Sequence, residues 1–138
     1  MTEIALQELL QAFEGGTFPK AQWHHGAHLA VAGCYALAHP PGEALTHMRD
    51  GVRRYNESVG TANTEDSGYH ETITRFWMDI AVRFLNAQPS GASRAEKVTA
   101  LVDTFASQRD LFREYYSFDV VKSREARANW LPPDKKTL

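Results

Sequence analysis

The chain has 138 residues, of which 43% are apolar and 23% charged, with a formal net charge of −2. That length suits one domain whose core needs no disulfide or metal staple. Acids and bases are interleaved, which excludes the positive surface that nucleic acid or a polybasic membrane contact requires, so neither partner is expected. The single cysteine, Cys34, excludes an internal disulfide and reads as a buried thiol. The start MTEIALQELL has no basic leader before an apolar stretch, and the run Ala27 to Ala38 is too short to span a bilayer. A cytoplasmic location is the expectation.

Ile4, Leu6, Leu9, Leu10 and Phe13 recur at helical spacing, with Thr2 as an N-cap and Gly15-Gly16 as the stop. Thr17-Phe18-Pro19 then opens a second predicted helix that runs to about Ala38, before His39-Pro40-Pro41. From Ala27 onward it carries no charge on any face, the mark of a central helix covered by its neighbours. A third predicted helix covers about 42–57, with Leu45, Met48, Val52 and Tyr55 as its inner stripe. The stretch SVGTANTEDSG, residues 58–68, lacks apolar periodicity and reads as a loop. A fourth helix over about 69–87 lines Tyr69, Ile73, Phe76, Trp77, Ile80 and Phe84 along one face. Ser93-Arg-Ala-Glu96 is a capping box for a fifth, and shorter helical pieces are predicted near 110–116 and 124–130. No strand-like alternation and no repeat occurs. The fold class expected is all-α, a single-domain bundle of five to seven helices over residues 1–138, built around the second and fourth.

Residues 22–31, QWHHGAHLAV, place three of the six histidines at the opening of the central helix. At about 100° per residue, His24 and His28 lie about 40° apart and His25 and His28 about 60° apart, so either pair can aim two imidazoles at one point. A second group, Tyr69-His70-Glu71, opens the fourth helix. Helix starts expose unpaired N–H groups and partial positive charge, which keeps an imidazole neutral and stabilises a carboxylate. Neutral imidazole is both the metal ligand and the general base.

If the two helix starts meet, His25, His28, His70 and Glu71 form a ligand set for a divalent metal such as zinc, manganese or iron. In that arrangement His70 and Glu71 are also the candidate catalytic acid and base. Two other readings stay open: a metal-free cluster that binds an anion or exchanges protons, and histidines that only hold structure. Trp23, His24, Tyr69 and Trp77 are candidate pocket walls, although aromatics at helical spacing are commonly core. Arg53-Arg54 and Arg124 with Arg127 could clamp an anion or simply face solvent. The loop before His70 could cover the site or merely connect.

Familiar signatures are missing. There is no H-E-x-x-H, no paired Glu-x-x-His, no glycine-rich phosphate loop and no G-x-S-x-G elbow.

The order W-H-H-x-x-H-L-x-V-A, R-Y-N, G-Y-H-E-T-I-T-R-F-W, Y-Y-S and S-x-E-A-R-x-x-W resembles a family of short bacterial all-helical proteins with H-x-x-H and Y-H-E-T motifs. The likeness spans about residues 18–133. It implies that the elements on His25, His28, His70 and Glu71 belong together, with His24 more replaceable, and it implies no particular reaction. The expected function is binding of a small polar molecule or divalent metal, extending to hydrolysis, hydration or isomerisation. The alternative is a non-catalytic interaction module or homodimer with structural histidines.

Overall fold

The computed structural model describes all of residues 1–138. Six α-helices follow in order: α1 Glu3–Glu14, α2 His25–Ala38, α3 Pro41–Ser58, α4 Glu71–Asn86, α5 Arg94–Phe105 and α6 Arg124–Ala128. Two 3₁₀ turns, Lys20–Gln22 and Leu111–Glu114, interrupt the connections, and there is no strand.

Helix α2, which carries no Asp, Glu, Lys or Arg, is the axis of the bundle and touches α1, α3, α4 and α5. Eight of its fourteen residues are buried, from Ala27 to Tyr35. Close approach is built into its sequence: a Cβ on Gly33 would stand 3.2 Å from both Val98 and Leu101 of α5. Gly51 of α3 serves the same purpose for Phe13 of α1, whose ring carbon would lie 2.9 Å from an added Cβ. The predicted capping box is formed, with Ser93 Oγ accepting from the Glu96 N–H and Glu96 Oε1 from the Ser93 N–H.

Two predicted elements differ. The second helix was expected from Pro19, but Lys20–Gln22 makes one 3₁₀ turn, Trp23 and His24 are non-helical, and the α-helix begins at His25. The reason is the Trp23 indole, which packs among Phe13, Phe18, Tyr55 and His28. Reaching that cluster pulls the backbone out of helical geometry. The piece near 110–116 shortens to the 3₁₀ turn Leu111–Glu114, which seats Phe112 in the core beside Phe76.

The loop over residues 59–70 is tied at several points. Asn63 Oδ1 accepts from Asn56 Nδ2 and from the Tyr69 N–H, while Asn63 Nδ2 donates to the Arg53 carbonyl. Gly68, at φ +77°, makes the turn into Tyr69; a Cβ there would meet the Ala62 carbonyl oxygen at 2.5 Å. Arg124 of α6 pairs with Asp66, and Arg127 donates to the carbonyls of Gly68 and Tyr69. These bonds make the segment a fastened connection. They also give Arg124 and Arg127 partners within the chain.

Candidate functional site

The starts of α2 and α4 open onto one cleft of about 1730 Å³. Trp23, His24, His25, His28, Tyr69, His70 and Trp77 all line it, together with Met48 and Val52 of α3 and the Arg109–Asp110 corner after α5. Of the eight residues singled out in the sequence, Glu71 alone is not in this wall.

The His24–His28 pairing expected on one helix face does not arise, because His24 is the extended residue before the helix, at φ −122° and ψ −177°. Its ring folds back over Gly26, and it is exposed. His25 and His28 do share the first turn of α2. The His28 ring stacks on Trp23 with centroids 3.9 Å apart and planes at 29°. His25 meets the face of Trp77 edge-on at 4.4 Å. Desolvation by the surrounding apolar groups lowers His28 to about 3 and His25 to about 4 from an ordinary 6.5, with the Phe105 carbonyl pulling His25 weakly upward. Both imidazoles are therefore neutral at neutral pH. His25 Nε2 is buried and has no hydrogen-bond partner. The chain supplies no hydrogen bond to His28, whose ring is partly open to the cleft.

His70 is built differently. It is the N-cap of α4: Nδ1 accepts from the Ile73 N–H at 3.2 Å, so Nε2 carries the proton and donates to the Val120 carbonyl at 2.8 Å. Burial pushes its pKa down. With both nitrogens engaged, the ring joins the helix start to the C-terminal segment.

Glu71 turns to α3. Arg49 grips its two oxygens through Nε at 2.8 Å and Nη2 at 2.7 Å, and the Tyr69 hydroxyl donates to Oε1 at 2.7 Å. Burial raises the carboxyl pKa, but these hydrogen bonds and the guanidinium charge outweigh it and hold the group ionised. Arg53 lies over the Tyr69 ring, 4.9 Å from its centroid.

In this geometry the expected metal set is not assembled. No group of three or more histidine, cysteine or carboxylate side chains is arranged to hold a metal ion. His25, His28, His70 and Glu71 fail as a ligand set because His70 has spent both nitrogens on the backbone and Glu71 faces Arg49 instead of the imidazoles. The same bonds occupy the two residues expected to act as acid and base.

The Arg109–Asp110 corner and the α3 residues of the cleft were not identified from the sequence. The corner sits where periodicity breaks after Phe105, and Met48 and Val52 read only as an inner stripe. A second aromatic stack, His39 on His47 at 4.0 Å with Tyr35 beneath, lies at the far end of α2.

No protein-family model, curated protein or solved structure matches the chain. What the fold defines is an all-α, single-domain protein. No helix is long and apolar enough to cross a membrane.

Proposed function

We propose that the protein binds a small organic molecule in the cleft between the starts of α2 and α4, with His28 as the polar contact and Trp23 and Trp77 as walls. The observation that carries this reading is the state of the imidazoles. His28 is stacked, neutral and free of protein hydrogen bonds, and it lines the cleft. Polar groups removed from bulk water normally find partners, so the unpaired His28 ring in this cleft favours an outside one. Binding fits better than proton transfer. A catalytic base works best with a pKa near the working pH, and one depressed to about 3 is a weak base.

The test is a fragment screen of small neutral, anionic and cationic organic compounds, read by the ring-proton NMR signals of the histidines. A binder should shift His25 and His28 saturably and leave His39 and His47, at the far end of α2, unmoved. If no compound up to 10 mM (on the order of the weakest affinities normally scored) moves His25 or His28 selectively, the reading fails.

A further inference from the structure

The chemistry of the cleft wall narrows the ligand class, an inference that rests on the binding reading above. The charged groups of the lining, the terminal ammonium of Met1 and the side chains of Arg109, Asp110, Arg113 and Glu114, all belong to exposed residues. These side chains are paired: Asp110 Oδ1 lies 3.7 Å from both Arg109 Nε and Arg113 Nε, Arg113 Nη1 also lies 3.7 Å from Asp119 Oδ1, and Glu114 pairs with Lys136. Farther in, the wall consists of indole, imidazole, phenol, thioether, aliphatic and amide groups. Glu71, the nearby carboxylate, is neutralised by Arg49 on the other side of the α4 start. Deeper than these exposed groups, a charged ligand would lose hydration and meet no counter-ion, which is costly in an apolar wall.

The shapes of the groups add a second restriction. Trp23, His28 and Trp77 line the cleft, but Trp23 is already stacked on His28 and Phe13 and Trp77 is buried with His25 against it, so what they offer is ring edges, which favour an aromatic partner by edge-to-face contact. A neutral imidazole offers one N–H donor and one lone-pair acceptor, whichever nitrogen holds the proton. A hydroxyl also both donates and accepts, so it complements either tautomer of His28. We propose that the cleft selects an uncharged, planar aromatic molecule bearing a hydroxyl group, the phenol class, with the hydroxyl hydrogen-bonded to His28 and the ring against the tryptophans.

The probes are phenol, toluene, benzoate and benzylammonium, titrated at pH 7 into the full chain and followed by the His28 ring-proton shift and tryptophan fluorescence. Phenol should saturate, with an affinity about tenfold above toluene, the effect of one added hydrogen bond. Both ions should bind more weakly than toluene. His28→Phe keeps the stack on Trp23 and removes the acceptor, so in that variant phenol and toluene should become equal while toluene affinity is retained. The wild-type ranking decides the matter even if this variant folds poorly. Toluene equal to phenol, or either ion binding more tightly than phenol, overturns the phenol assignment. If other fragments in the wider screen shift His28 while phenol does not, only the ligand class fails. If nothing shifts it, the binding reading fails with it.

Discussion

The indole of Trp23 lies flat against the imidazole of His28, 3.9 Å away, although the two residues sit on opposite sides of a break in the backbone. This contact couples the 3₁₀ segment to the first turn of α2 and shapes one wall of the cleft. The same indole stacks on Phe13 of α1 at 4.9 Å and touches Tyr55 of α3. Trp23→Ala should therefore destabilise the fold by about 3 kcal/mol, the usual loss for truncating a large aromatic with several partners. It should also release the His28 ring, seen as a sharpened and shifted imidazole signal. Loss of less than about 1 kcal/mol in urea unfolding would show that the stack does not organise this corner.

His25 and His28 make stability depend on acidity. Their folded pKa values, about 4 and about 3, lie below the ordinary 6.5, so between these limits the unfolded chain binds more protons than the folded one. Stability then rises with pH and is lost as pH falls below 6.5. Between pH 6.5 and 5 each histidine should remove up to about 2 kcal/mol, from 1.36 kcal/mol per pKa unit. The lowered pKa of His70 acts in the same direction. Urea unfolding at pH 7.5 and 5.0 measures the loss, and His28→Phe should flatten it. An unchanged pH dependence in that variant would contradict the desolvated, neutral state of His28.

Replacing Glu71 by Gln removes the charge that Arg49 faces, while the Arg49 side chain is only 29% exposed and that of Glu71 only 12%. An uncompensated, partly buried guanidinium should lower stability by about 2 kcal/mol. Because Glu71 stands outside the cleft wall, binding of any cleft ligand should change less than about twofold, a difference of less than 0.5 kcal/mol. Calorimetric or fluorescence titration of a cleft ligand checks this; a tenfold loss would place Glu71 in the site after all.

His70→Ala should cost about 1–3 kcal/mol, since it removes the cap on Ile73 N–H and leaves the buried Val120 carbonyl without its donor. His70→Asn should recover the capping part, because asparagine is a strong N-cap. Equal losses in the two variants would mean that the Val120 bond alone carries the contribution.

Adding zinc, manganese or iron(II) should leave the melting temperature within about 1 °C. A ligand that binds the folded state raises stability as RT ln(1 + [L]/Kd), and no group of three or more donor side chains is arranged around an ion. A concentration-dependent rise abolished by His28→Phe would restore a metal role for this cluster.

Much of the architecture was legible because it is written in local pattern. The uncharged run after Ala27 marked α2 as the covered axis, and the S-x-x-E of residues 93–96 marked the start of α5. Local pattern does not say whether the two helix starts meet; in the fold, His28 and His70 line the same cleft. Spacing along one helix cannot say which way a side chain turns once another helix arrives. Glu71 found Arg49 on α3, and His70 found a carbonyl fifty residues away; both bonds are long-range and leave no local signature. The break at Trp23 was equally hidden, since the sequence reads as helical there and only the aromatic cluster from α1 and α3 draws the indole out of register. By itself, then, the sequence determined the helices and the central one, because burial periodicity and capping are properties of neighbours in the chain. Tertiary structure alone decided which polar groups of the two histidine-bearing turns are spent and which remain free, because a hydrogen bond goes to whatever partner packing brings within reach.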